Sequence, residues 1–336
     1  MSDCYTSNDQ NWPYSCVFLP GLTGPYRPVV ARVWHGMLLV AATSAKPGPS
    51  GSMLAYVYDP YAREYGGKGP LSLFPINLGS AASAPAIWYA DLVAWLFYSD
   101  GTNLVYQSAP QPGLNPQTNE IEFASFQFGA PSVAVANTQA NNPAAILFEG
   151  QLYLFWTGPA PGSSFQTVYF VSAPYTPGAN LVFTRPAELT VATGTLSEAS
   201  FALWQGVLYV AYLGPAGTQV VSLVPNATGW QTEAVGTVWQ SDCGNLNCSF
   251  APALVADPKG TFLMMVFCKP GSHQLCTTYL VAGNDWSAPQ VIPHQLTGIS
   301  PSVIATGGNY AYLAYVIENN SGTNIGTSDS LPAVYA

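Results

Sequence analysis

Two side chains in this 336-residue chain stand where charge is expensive, Arg32 and Glu198. Counting back four residues from a recurring turn glycine, or its equivalent, gives Arg32, Ile87, Ile146, Ala202, Ala256 and Ile304. A guanidinium in that aliphatic column costs several kcal/mol to bury unless a carboxylate or carbonyls meet it. Glu198 interrupts a second column, held otherwise by Pro28, Pro85, Pro143, Pro252 and Pro301. It could pair with Arg32 or serve as the acid of a reaction. Equally, the Arg32 stem could fill a tunnel while its head bonds backbone carbonyls. Tyr26, Arg27, Asn141, Asn142, Ser197, His294 and Ser300 fall at or near the same end of the strands, and Trp239 lies in a long connection beside Asp242. Such a set of hydrogen-bonding groups and aromatics suits a weakly polar small ligand.

Other chemistries lack their residues. His35, His273 and His294 lie in different repeats, so no transition metal and no cofactor are expected. A conventional glycosidase needs two carboxylates flanking one bond, and Glu198 alone is acidic among the starts of the inner strands. Gly-x-Ser-x-Gly, Gly-x-Gly-x-x-Gly and P-loop patterns do not occur. These absences set aside hydrolase, dehydrogenase and kinase readings.

The elements that must position these residues follow from a sixfold internal repeat. An apolar run, a tight turn and a second aromatic-rich run start near residues 28, 85, 143, 198, 252 and 301. The spacing, roughly 50 to 58 residues, is that of a four-stranded propeller blade. Runs rich in Val, Ile, Tyr, Phe and Trp around His35-Gly36, Glu149-Gly150, Gln205-Gly206 and Lys259-Gly260 read as strand pairs. An aromatic residue, Phe123, Phe183, Trp230 or Trp286, is expected to open each outer strand. The last repeat has no outer strand of its own. Residues near Trp12 to Leu19 are expected to supply it, closing one all-β, six-bladed propeller over residues 1–336. Ser125 to Asn142 and Thr232 to Ala251 read as long loops able to cover the ring's mouth. Turns bearing Asp91, Glu149 and Lys259 belong to the opposite face as solvated structure, with Trp88, Trp204 and Phe148 as core.

With 49% hydrophobic and 7% charged residues the chain can bury a large core, and no apolar stretch is long enough to span a membrane. A formal charge of −9 with 8 Lys+Arg argues against nucleic acid and anionic membranes as partners. Six cysteines fall into close pairs, Cys4/Cys16, Cys243/Cys248 and Cys268/Cys276, read as three local disulfides of a secreted or secretory-lumen protein whose leader is not in the sequence. Sequons at Asn226, Asn247 and Asn319 agree with that compartment.

The pattern at Pro143 to Gly158, echoed at Ser197 to Gly214, resembles repeats of lectin-like six-bladed propellers, including fungal fucose lectins. That resemblance implies pockets between blades, each reusing an Arg, a Glu and an aromatic, whereas Arg32 and Glu198 each occur once. Unequal blades suggest one pocket. In size and build the chain also looks similar to fungal propellers that catalyse hetero-Diels–Alder cycloadditions. That likeness implies a cofactor-free cyclase in which Arg32, Tyr26 or Asn142 polarises a bound polyketide or terpenoid. The competing expectation is a secreted lectin-like module that binds a glycan.

Overall fold

The second strand of a typical repeat is apolar at nearly every position, which a strand buried on both faces requires. In the computed structural model that is where these runs sit. The structure describes residues 14–17, 29–33, 38–43, 51–58, 74–117, 122, 125–189, 198–214, 217–223, 234–240, 251–257, 259–268, 274–283, 285–296, 302–305, 311–317 and 324–330. Among them there is no α-helix, and the strands form six four-stranded sheets.

The first sheet runs β2 (Val29–Arg32), β3 (Leu38–Thr43), β4 (Gly51–Tyr58), β5 (Phe74–Ala81), and the second β6 (Ala86–Ala90), β7 (Val93–Ser99), β8 (Leu104–Pro110), β9 (Ser132–Val135). The third is β10 (Asn141–Phe148), β11 (Gln151–Pro159), β12 (Gln166–Pro174), β13 (Ala187–Leu189). The fourth is β14 (Ala199–Trp204), β15 (Val207–Gly214), β16 (Gly217–Leu223), β17 (Ala234–Gln240), and the fifth β18 (Ala253–Ala256), β19 (Phe262–Cys268), β20 (Gln274–Val281), β21 (Gln290–Leu296). The last sheet is β22 (Ser302–Ala305), β23 (Ala311–Ile317), β24 (Asn324–Ser330) and, as its outer strand, β1 (Tyr14–Val17), with Tyr14 opposite Ser328 and Val17 opposite Ile325.

The chain divides into two compact units, one of residues 1–20, 154–171 and 185–336, the other of 21–153 and 172–184. In the second unit β6 lies beside both β2 and β10; in the first, β18 lies beside both β14 and β22. First strand against first strand, with sheet faces packed on one another, is consistent with a β-propeller. One face of the second sheet (Leu96, Tyr98, Val105, Ala109) packs on Leu39, Ala41, Met53 and Ala55 of the first. In the other unit, Trp204, Ala211 and Val220 of the fourth sheet pack on Leu263, Met265, Phe267 and Cys276 of the fifth. Phe155 stacks on Phe201 at 4.9 Å between ring centroids.

The first strands of the fourth and fifth sheets are also stitched by a buried hydrogen bond, Leu254 N–H donating to Ser200 Oγ at 2.9 Å. Removing that acceptor by Ser200→Ala leaves a buried amide unpaired. It is expected to lower the unfolding free energy by about 1–3 kcal/mol, measured by denaturant titration.

Two expectations need correction. First, the outer strands begin later than their aromatic markers. Phe183 and Trp286 each precede the strand by four residues, β13 starting at Ala187 and β21 at Gln290. In the second sheet the marker is Phe128, ahead of β9 at Ser132, while Phe123 lies outside the described residues. The residue after each marker bonds the third strand: Gly129 N to Ser108 O at 2.9 Å, Thr184 N to Ser172 O at 2.8 Å, Ser287 N to Tyr279 O at 2.7 Å. The ring itself wedges against a neighbour, as Phe183 does edge-on to Tyr106 at 6.1 Å. The marker is thus a packing wedge, and strand pairing resumes past it. It follows that Ser125 to Asn142 is not a free loop, since it carries β9, and Thr232 to Ala251 carries β17.

Second, Cys268 and Cys276 are thiols, both buried. Cys276 stands opposite Phe267 and Cys268 opposite Leu275, so the two are one position out of register. Their side chains therefore leave the sheet on opposite faces, which a disulfide cannot span. Cys16 is described only by its place in β1, and Cys4, Cys243 and Cys248 lie outside the described residues. A thiol-reactive probe is expected to label Cys268 and Cys276 only on unfolding. Fast labelling of the native chain at both sites would contradict their burial.

Candidate functional site

The sequence-selected residues fall into three groups. Tyr26, Arg27, Ser197 and Ser300 lie outside the described residues. Arg32 ends β2 opposite Leu38, Trp239 lies in β17 opposite Val220, and His294 lies in β21; for these the backbone alone is described. Trp239 therefore belongs to a paired strand and not to a lid. Asn141, Asn142 and Glu198 are described with their side chains, and all three sit at the starting ends of first strands. Glu198 is half-buried immediately before β14.

Asn141 and Asn142 open β10. Asn142 is 5% exposed with φ at 46°, in the left-handed region that asparagine tolerates better than most residues. Among the described residues its Oδ1 meets no donor. A buried amide carbonyl is costly to leave unpaired.

The backbone leading into Asn142 is fixed by a chain of hydrogen bonds from the β7–β8 turn. Asp100 accepts from Thr102 N at 2.8 Å, Asn103 N at 2.7 Å and Asn103 Nδ2 at 3.1 Å. Asn103 Oδ1 in turn accepts from Asn137 N at 3.2 Å, and Thr138 N donates to Thr102 O at 2.9 Å. The segment between β9 and β10 is thus laid on a rigid turn.

Partial burial works to raise the Asp100 carboxyl, but the amide donors of Asn103 and Thr102 outweigh it and hold the group below its ordinary value. A depressed carboxyl contributes stability above its unfolded-state pKa of about 4, and that contribution is lost as pH falls through the lower folded value. Exchange of the Thr102 and Asn103 amides is therefore expected to accelerate on acidification below about pH 4 relative to other turn amides. Asp100→Ala should show that loosening already at neutral pH.

Among the described residues no group of three or more His, Cys, Asp or Glu could hold a metal. The sequence singled out Asn142 but gave no sign of its backbone conformation, and it missed Asp100 and Asn103, whose role depends on a loop brought against their turn.

No protein-family model and no curated protein matches the sequence. Solved structures do match in fold. A protein of unknown function from Dyadobacter fermentans superposes with a TM-score of 0.62 at 10% identity, covering 94% of this chain and 97% of that one. An α-L-arabinofuranosidase from Fusarium graminearum, solved with an iminosugar inhibitor, gives 0.58 at 10% identity over 95% and 98%. A GH62 hydrolase in complex with xylotriose gives 0.51 at 13% identity over 95% and 97%. The likeness is one of fold. It supports an all-β, propeller-type architecture.

The expected cyclase is overturned here. The similar structures include carbohydrate-active enzymes, and neither a cycloaddition propeller nor a fucose lectin is among them. Pericyclic catalysis had no positive motif to carry it, only the shortage of acids and bases at the starts of the inner strands.

Proposed function

We propose that the chain is a carbohydrate-binding β-propeller of six blades, the last completed by β1, and that it takes a pentose-containing oligosaccharide at the start of β10. The observation that carries this reading is the fold likeness, extending over nearly the whole of both chains, to an arabinofuranosidase and to a hydrolase holding xylotriose. Asn142 supplies a buried acceptor for a sugar hydroxyl and Asn141 beside it a second amide. Binding is favoured over hydrolysis because the acid/base pair of a glycosidase needs a partner for Glu198, and the residues before the other first strands are Pro28, Pro85, Ala140, Pro252 and Pro301.

The test is calorimetric titration with xylotriose, arabino-xylo-oligosaccharides and cellotriose, alongside an assay for reducing ends. Saturable heat without new reducing ends is the expected result. Absence of binding to every saccharide would remove the proposal, and release of reducing ends would make the chain a hydrolase.

A further inference from the structure

At the other ends of the second and third sheets, away from Asn142, the structure assembles a group that the sequence had distributed between core and solvated turn. Asp91 and Leu92 form the β6–β7 turn, both with positive φ (49° and 63°), and Leu92 is 59% exposed. Tyr175 follows β12 and is anchored by its own amide to Gly150 O at 2.9 Å. Its hydroxyl donates to Asp91 Oδ2 at 2.8 Å, and its ring meets Trp88 edge-on, centroids 4.9 Å apart at 81°. Trp88 is half-buried and backed by Trp95 at 6.4 Å.

The corresponding corner between the fourth and fifth sheets shows what a purely structural arrangement does with an indole. There Trp204 is buried, and its Nε1 donates to Gly260 O at 3.0 Å, a carbonyl that also accepts from Gln205 Nε2 at 3.1 Å. Protein atoms close that corner. At the first corner Trp88 Nε1 has no acceptor among the described residues, and Asp91, itself exposed, has one carboxylate oxygen committed to Tyr175. The exposed Asp91 thus lies beside two half-buried aromatic rings at right angles, with the Trp88 N–H left without a protein acceptor among the described residues.

We propose that Trp88, Asp91 and Tyr175 form a second carbohydrate-binding site, which takes one sugar ring against the aromatic corner with adjacent hydroxyls on Asp91. A sugar ring has a face of C–H groups that packs on an aromatic ring and a rim of hydroxyls that seeks charged acceptors, and this corner offers both. Tyr175 aims the carboxylate. Its hydroxyl is pushed up to about 12 by burial, then by the hydrogen bond to Asp91 and that group's charge, so it remains a donor at neutral pH. Leu92 extends the apolar border. The site shares with the preceding proposal the reading that the chain binds sugars, and it differs in place.

The experiment is titration calorimetry with xylotriose, and in parallel cellotriose, on the whole chain and three variants. Wild type is expected to bind two equivalents. Asp91→Ala should lose one equivalent through an affinity drop of at least about tenfold. Tyr175→Phe, which keeps the ring, should weaken the same equivalent by a smaller factor, and Asn142→Gly should remove the other. Two equivalents retained at wild-type affinity in a folded Asp91→Ala chain would overturn the second site, as would a single equivalent abolished by Asn142→Gly. A single equivalent abolished by Asp91→Ala alone would uphold the second site and refute the first. No binding by either probe would overturn both.

Discussion

Phe155→Ala is expected to lower the unfolding free energy by about 3–5 kcal/mol, the range for deleting a large buried ring with incomplete collapse of the cavity. Phe155 has no exposed surface, stacks on Phe201 at 4.9 Å and 17°, and lies 5.8 Å from Phe170. The stack joins a second strand of one sheet to the first strand of the next, so the cavity would open between sheets where backbone pairing cannot relax to fill it. Urea titration should show a lower midpoint with an unchanged slope. The cycle with Phe201→Ala should return a coupling of about 0.5–1.5 kcal/mol, the excess typical of an aromatic pair. Val182→Ala, at a site 75% exposed, is the control and should stay within about 0.5 kcal/mol of wild type.

The second large effect concerns binding. Asn142→Gly keeps the backbone, because glycine adopts the φ of 46° without strain, and removes only the amide. On the proposed reading it should weaken oligosaccharide binding by about ten- to thirtyfold, the equivalent of a buried hydrogen bond worth roughly 1.4–2 kcal/mol, at little cost in stability. Asn142→Val should instead destabilise the fold, since a β-branched residue is poorly accommodated at positive φ. Unchanged affinity in a folded Asn142→Gly chain would remove Asn142 from the site. Equal destabilisation by glycine and valine would show that the amide, and not the backbone, holds the segment.

Inner strands are legible in this sequence because burial on both faces demands unbroken apolar runs such as Val93–Ser99 and Phe262–Cys268, and turn pairs such as Gln205-Gly206 punctuate them. Outer strands are not. β9 and β13 are short and half-solvated, so their residues carry little pattern and an aromatic was the only marker left. Phe123 and Phe128 compete for that role, and the spacing of fifteen residues that Phe183 keeps from Glu198 and Trp286 from Pro301 would have selected Phe128 before Pro143. The Cys268/Cys276 pair misled because closeness along a hairpin does not fix parity, and one residue of register sends the two thiols to opposite faces. Site residues were legible as types at strand ends. Their partners were not: Asp91 and Tyr175 meet across 84 residues of sequence, and nothing local in either segment announces the other.

The pairing of β1 with β24 sets a timetable for the chain. During synthesis Tyr14–Val17 emerges ahead of the other described strands, yet the edge it must join does not exist until Asn324–Ser330 has followed. Each of the other sheets is made from a continuous stretch and can assemble as it emerges, whereas the last must wait for its two strands most distant in sequence to meet. The nascent chain therefore carries β1 unmatched and, briefly, β24 as an open sheet edge. That interval is when a neighbouring copy could donate the missing strand, and it makes the β1–β24 pairing, more than core burial, the step that crowding on a polysome would perturb.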